Sequence, residues 1–296
     1  MTTIPAFDRP RLLIVGCGDV GMRLLPLLRE RFRVFALTSQ HERCAELRAA
    51  GAVPVVADLD QPHTLARLRG LAPWVLHLAP PQQDGERDLR TRRLAAALGG
   101  GVRRMVYVST TGVYGDCGGA LVREHRPVAP RNPRAARRVD AERVLRAWAV
   151  AGGVQLAILR VPGIYARERL PLKRLEQGTP ALRPEEDVYT SHVHADDLAR
   201  IVLQALLHGR PGRVYHAVDD TRMKMGDYFD AVADRFGMPR PPRLPRAELR
   251  QVVSPMLLSF MSESRRLDNT RMKRELRVRL RYPDVDMALA RMAPVQ

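Results

Sequence analysis

Cysteine is scarce in this chain. Its 296 residues hold three, Cys17, Cys44 and Cys117, an odd number without a Cys-x-x-Cys pair, which excludes a disulfide framework and a zinc ribbon. A reducing compartment, the cytoplasm, is the expectation. Long apolar runs are missing too. The stretch Leu12–Val15 is too short for a signal-peptide core, and no window approaches the roughly 20 apolar residues of a spanning helix, so a soluble chain without a cleaved leader is expected. Lysine is nearly absent: Lys173, Lys224 and Lys273 are the only ones among 49 basic residues, and the rest are arginine. Aromatics make up only 5%, and the arginines are dispersed, so the net charge of +17 describes a basic surface rather than a face for specific nucleic-acid binding. Low-complexity segments are lacking as well. With 45% hydrophobic residues over this length, the chain buries a sizeable core without staples.

What is present is an alternation of strands and helices. The run RLLIVG over 11–16 is a buried parallel strand feeding a helix from Asp19 to Arg31. Strands at 33–37, 53–56, 74–79 and 104–110 alternate with helices at 41–50, 62–69 and 84–98. A long helix over 135–151 leads into a strand at 154–161 that ends at Pro162. The pattern then loosens: a strand at 188–194, a helix at 196–207, a strand at 214–218, a helix at 224–236 and a Pro-rich loop at 238–245. This order predicts an α/β, Rossmann-type doubly wound parallel sheet with a smaller C-terminal substrate-binding part. The expected division is residues 1–162 for a nucleotide-binding domain and 163–296 for the smaller part, with about 188–218 returning to the sheet.

The segment Gly16-Cys17-Gly18-Asp19-Val20-Gly21 follows the first strand and opens the first helix. In that context GxGxxG is a phosphate-binding turn: Gly16 for the tight bend, Gly18 for close approach of a pyrophosphate, Gly21 for helix–sheet packing. The helix start supplies free N–H donors. At the end of the second strand, where NAD binders place a carboxylate on the ribose, the chain reads Ala36-Leu37-Thr38-Ser39-Gln40. With Thr38 and Ser39 as donors and Arg43 nearby, NADP is expected, with NAD the alternative; a solvated Arg43 is the competing reading. Asp58 and Leu59, then Leu78, Ala79 and Pro80, then Ser109, at the ends of later strands, complete the expected cofactor contacts. Asp58 as a simple turn residue is equally compatible.

The segment YVSTTGVYG at 107–115, joined to the glycine turn, resembles the extended short-chain dehydrogenase/reductase superfamily, the NAD-dependent epimerase/dehydratase group. The segments at 159–170, 191–206, 214–218 and 264–284 are similar to that group's later motifs, so the resemblance spans nearly the whole chain. It implies a catalytic Ser or Thr at the end of the fifth strand, here Thr110, and a Tyr-x-x-x-Lys pair on the next helix. Counted back from Val139-Asp140-Ala141-Glu142, those two positions hold Arg134 and Arg138. A guanidinium stays charged and cannot exchange a proton as a phenol does. The pattern is similar to the superfamily's atypical branch.

Arg138 is expected to hold the nicotinamide ribose and Arg134 to clamp an anionic substrate. The alternative is that Arg134, Arg137 and Arg138 are solvated or paired with Asp140 and Glu142. Tyr114, Cys117, Tyr165 and His192 are substitute acids, each also explained by packing. His192, His194 and Asp196 need no metal, because a short strand followed by an N-capping Asp accounts for them. Two functions stand: an NAD(P)-dependent oxidoreductase or epimerase/dehydratase-like enzyme acting on a small, anionic molecule, or a catalytically inactive NADP-binding redox sensor. Membrane partners are not expected. A homodimer through the helix bearing Val139, Val144, Leu145 and Trp148 competes with packing of that helix on its own sheet.

Overall fold

The computed structural model describes residues 9–292; of the N-terminal stretch read for a leader, residues 1–8 lie outside them, and Leu12–Val15 belong to a strand. In chain order the elements are β1 (Arg11–Val15), α1 (Asp19–Leu28), β2 (Arg33–Thr38), α2 (Cys44–Ala49), β3 (Val53–Val56), β4 (Trp74–His77), α3 (Leu89–Leu98) and β5 (Arg104–Thr110). After β6 (Leu121–Val122) come α4 (Pro133–Gly152), β7 (Gln155–Val161), β8 (Gly163–Tyr165), α5 (Leu172–Glu176), β9 (Ala181–Leu182), β10 (Tyr189–Thr190), β11 (His192–His194), α6 (Ala195–His208) and β12 (Arg213–His216). A later helix, α7, covers Met225–Arg235.

Seven strands form one sheet in the order β12-β7-β5-β4-β1-β2-β3, every pairing parallel. Strands buried on both faces explain the unbroken apolar runs: four of the five residues of β1 and six of the seven of β7 are buried. The chain runs outward from β1 in both directions, to β2 on one side and β4 on the other. That reversal leaves a crevice beyond the carboxyl end of β1, where the glycine turn begins.

One face of the sheet is covered by α1 and α6, through Leu24, Leu25 and Leu28 against Leu198, Ile201 and Val202. The other carries α3 and α4, through Leu94, Leu98, Ala141 and Leu145. A separate apolar cluster holds the C-terminal part, with Tyr165, Leu182, Phe229, Val232, Leu249 and Val285. Helix α4 starts where local chemistry dictates: Pro133 occupies its first turn, the Asn132 side-chain oxygen Oδ1 accepts from Ala135 N at 2.9 Å, and Gly153 closes it in the left-handed conformation.

Several boundaries differ from the sequence reading. The helix placed at 84–98 begins at Leu89, because Asp88 caps it by accepting from Thr91 N at 2.9 Å. The segment at 62–69 is a 3₁₀ turn over Pro62–Leu68, and 41–50 opens with another, His41–Arg43. The strand placed at 188–194 is two short strands that pair with different partners, β10 with Met223–Lys224 and β11 with β8. No helix among the described residues is long and apolar enough to cross a membrane.

Candidate active site

The glycine turn is built as its spacing predicts. Gly16 has φ +87°, and a Cβ there would lie 2.5 Å from Ala79 N, so only glycine fits between β1 and the exit of β4. Gly18 caps α1, and a Cβ built on it meets nothing within 4 Å. Space beside this helix start is left open. Gly21 packs against Cys17, whose Sγ would be 3.0 Å from an added Cβ.

A groove of about 290 Å³ opens at this turn, and its walls are Gly16, Cys17 and Gly18, then Leu37 to Gln40 with Arg43, then Ala57 to Leu59, then Leu78 to Pro80, with Arg90. The sequence-expected Gly16, Gly18, Thr38, Ser39, Arg43, Asp58, Leu59, Leu78, Ala79 and Pro80 are thus brought together. Cys17, Leu37, Gln40, Ala57 and Arg90 were missed. All but Arg90 neighbour an expected residue. Arg90 sits in the first turn of α3, held by Asp60 and donating to Pro80 O at 3.3 Å, and no local motif points to it.

Arg43 is not simply solvated: Nη1 donates to Cys17 O at 2.9 Å and Nε to Glu46 at 3.0 Å. Its guanidinium therefore stands over the glycine turn. Burial raises the Cys17 thiol to about 11, against the opposing pull of Arg43, so it stays a neutral thiol. Asp58 Oδ1 accepts from Asp60 N at 2.8 Å, a turn contact that coexists with its place in the groove wall.

Four expected cofactor contacts stand elsewhere. Asp19, Val20 and Gly21 do not line the groove, and the Asp19 carboxylate is taken by Arg23 and Arg169 at 2.8 and 2.9 Å. Ser109 is buried beneath the strand end and donates to Glu142 at 2.7 Å. Alternation along β5 turns its side chain away from the residue after it.

Thr110 ends β5, and its hydroxyl accepts from Gly112 N at 3.2 Å. Arg138 reaches the same strand end from α4: Nη1 donates to Val108 O at 3.0 Å, Tyr107 OH at 3.1 Å and Ala79 O at 3.4 Å. The acidic neighbours weighed as its partners are committed otherwise. Asp140 holds Arg92 and accepts from Asp88 N, and Glu142 holds Arg160. Arg137 instead donates to Gly85 O at 2.5 Å. Arg134 lies one turn before Arg138, and its guanidinium is held below its ordinary value by desolvation, then by repulsion from Arg138, with Glu263 pulling the other way.

Behind this edge runs a buried polar chain. Glu142 accepts from Arg160 at 3.1 and 2.7 Å, and Arg160 Nη1 donates to Tyr114 OH at 2.7 Å. His216 Nδ1 faces the carbonyl of Asp268 at 3.0 Å, which can only accept, so the proton sits on Nδ1. Nε2 is then bare and accepts from Tyr114 OH at 2.6 Å. Burial lowers His216 to about 3 and raises the Tyr114 phenol. Tyr114 thus links Arg160 to His216 in the interior.

Cys117 is buried, with its thiol raised by burial. Tyr165 and His192 share a second buried cluster: the His192 ring lies 4.3 Å from that of Tyr228, and Asp219 N donates to His192 O at 2.8 Å. Burial lowers His192 to about 4 and raises Asp219 to about 8. The cap of α6 is His194, whose Nδ1 accepts from Asp196 N at 3.2 Å, and not the aspartate expected from sequence.

A doubly wound parallel sheet with a glycine turn and an open groove at its reversal point defines a Rossmann-type α/β protein. The model of the NAD dependent epimerase/dehydratase family matches residues 12–218, and the chain belongs to that family. Among curated proteins it is similar to the GDP-6-deoxy-D-mannose reductase of Pseudomonas aeruginosa, 28% identical over 167 residues, covering 50% of this chain and 55% of the relative. It is also similar to the UDP-glucose 4-epimerase of Azospirillum brasilense, 30% identical over 146 residues, 48% of this chain and 38% of that one. The chain therefore spans about half, or less, of the length of these relatives. Among solved structures, a functionally unknown conserved protein from Silicibacter pomeroyi is 29% identical with a TM-score of 0.77, covering 95% of this chain and 97% of that one. A dTDP-glucose 4,6-dehydratase of Streptomyces venezuelae, solved with NAD bound, is 24% identical with a TM-score of 0.76 over 95% of each chain, a likeness of fold.

Proposed function

We propose that this chain is an NADP-dependent oxidoreductase or epimerase/dehydratase-like enzyme acting on a small anionic molecule. The observation that carries the reading is the groove: it joins the open glycine turn to a β2 end without a carboxylate, under the Arg43 guanidinium. A phosphate is accommodated beside the turn, because the space a Gly18 Cβ would take is free and Gly18 caps the N-terminus of α1. Arg43 then meets a ribose 2′-phosphate, and Asp58 the adenine amino group. The cofactor, when bound, supplies hydride chemistry.

Arg138, fixed on the strand end beside Thr110, is assigned to the nicotinamide ribose and Thr110 to the substrate carbonyl. Arg134 is assigned to an anionic group of the substrate, since its charged neighbours include Arg138 and Arg137 and an anion relieves their mutual repulsion. The substrate lies between the carboxyl edge of the sheet and the chain after Pro162, which is the division proposed between the nucleotide-binding part and the smaller C-terminal part.

The second reading, a redox sensor without turnover, is favoured by one feature: no tyrosine in the chain has a lysine four residues on, and α4 carries Arg134 and Arg138 in its first two turns. Calorimetry with NADP and NAD tests the cofactor, and a turnover screen of carboxylate and phosphate carbonyl compounds compares the parent with Arg134→Tyr/Arg138→Lys. Turnover by the parent supports the enzyme. NADP binding with activity only in the double variant establishes the sensor, and absence of binding overturns both.

A further inference from the structure

The exits of β3 and β4 are separated in the sheet by β1 and β2, yet Arg90, in the first turn of α3, is bonded to both. Its Nε donates to the two carboxylate oxygens of Asp60, in the loop after β3, at 2.9 and 3.1 Å, and its Nη2 donates to Oδ2 of the same carboxylate at 2.5 Å. Nη1 donates to Pro80 O, after β4, at 3.3 Å. A guanidinium gripped in a fork and tied at its third nitrogen holds one orientation, so Arg90 lines the groove as a fixed plate and not as a swinging cation.

Its charge is already answered. The hydrogen bond from Arg90 is the main cause that holds Asp60 below the usual carboxylate value, so the pair is ionised at neutral pH. Asp58 and Asp88 add their carboxylates to the surroundings of Arg90, and a phosphate would gain little beside them. A flat neutral group meets no such penalty. Leu59, Leu78 and Pro80 line the same groove and suit the faces and edges of a base, and the plane of an arginine held in this way is a stacking surface for one.

We propose that the Arg90 guanidinium, held by Asp60, is the platform on which the adenine ring of the dinucleotide stacks. The proposal rests on the dinucleotide reading above, in which Asp58 meets the adenine amino group. Asp60 stands two residues beyond Asp58, which sets Arg90 at the base end of the groove, with Arg43 at the 2′-phosphate end. Arg90 is then a binding residue, and Asp60 is the residue that positions it. A mere clasp between the two strand exits would act on every ligand of the groove alike.

Calorimetry with adenosine 2′,5′-bisphosphate and uridine 2′,5′-bisphosphate separates these roles, because the two share the ribose and both phosphates and differ in the base. The parent should bind the adenosine compound about tenfold more tightly. Arg90→Ala should weaken the adenosine compound about fivefold and the uridine compound less than about twofold, at the parent melting temperature. Arg90→Lys keeps a charge without a plane and should lose as much as Arg90→Ala. Asp60→Asn should weaken the adenosine compound about threefold, and adding Arg90→Ala to it should cost less than Arg90→Ala costs the parent, since the two residues act as one unit. Parent-like affinity for the adenosine compound in Arg90→Ala, recovery in Arg90→Lys, or equal losses for the two compounds would overturn the platform while NADP binding by the parent keeps the dinucleotide reading. Absence of binding of either bisphosphate at millimolar concentration also overturns the platform, and if NADP gives no heat either, the dinucleotide reading falls with it.

Discussion

Gly16 and Gly18 stand two residues apart in the same turn, yet the structure assigns them opposite sensitivities to alanine. At Gly18 the backbone is extended, φ −82° and ψ −153°, and an added Cβ meets no protein atom within 4 Å. Gly18→Ala should leave stability within about 1 kcal/mol of the parent, helped by about 0.4–1 kcal/mol through the lost freedom of the unfolded chain. The methyl group would occupy the space through which a pyrophosphate reaches the helix start. Losing one charge-assisted hydrogen bond there costs about 1.5–3 kcal/mol, a loss of roughly 10- to 150-fold in dinucleotide affinity. At Gly16 the same methyl is built at φ +87° and 2.5 Å from Ala79 N. The left-handed backbone costs about 1–2 kcal/mol and the overlap with the β4 exit about 1–3 more, so Gly16→Ala should lose about 2–5 kcal/mol of folding stability. Urea denaturation and calorimetry with NADP separate the two effects. Parent-like NADP affinity in Gly18→Ala, or equal destabilisation by the two variants, would refute the assignment of Gly18 to the ligand and Gly16 to the fold.

Arg43→Ala should weaken NADP by about tenfold while changing NAD little, since the lost contact is to the 2′-phosphate; equal losses for both cofactors in competition assays would count against this role. Glu142→Gln leaves Arg160 charged in a site where both side chains are nearly inaccessible, and should cost about 3–5 kcal/mol in urea unfolding; a cost under 1 kcal/mol would contradict the buried pair. Stability should peak near pH 6.5 in its dependence on four buried groups. His77, His192 and His216 are lowered by burial to about 3, 4 and 3, so below 6.5 the unfolded chain binds more protons and stability falls as pH falls. Asp219, raised by burial to about 8, acts oppositely: the folded state binds its proton more tightly, and stability is lost as pH rises from about 4 to 8. Asp219→Asn should therefore flatten the decline above pH 6.5, by at most about 1.4 kcal/mol per pH unit; an unchanged slope in urea series would show that Asp219 is ionised in the fold.

Most of the doubly wound architecture was legible along the chain because its signals are local. The apolar run of β1, the glycine spacing and the Asn132-Pro133 helix start each act within a few residues, and alternating strands and helices imply the doubly wound parallel sheet. The matched family then agrees with motifs quoted from the primary sequence. Boundaries erred where a side chain competes for the backbone, as at Asp88, or where short apolar segments have no period to fix a partner, as at 189–194.

Sequence by itself determined that a helix opens on Gly18 and that guanidiniums occupy positions 134 and 138 of the long helix. Folding alone decided which charges pair. Asp140 and Glu142, adjacent to those arginines along the chain, are drawn instead to Arg92 and Arg160, while Arg138 turns to the carbonyl of Val108. Arg90 enters the groove and Ser109 leaves it for the same reason: hydrogen-bond and ion-pair partners are chosen by distance in the packed sheet, and distance in three dimensions is not written in the spacing of residues.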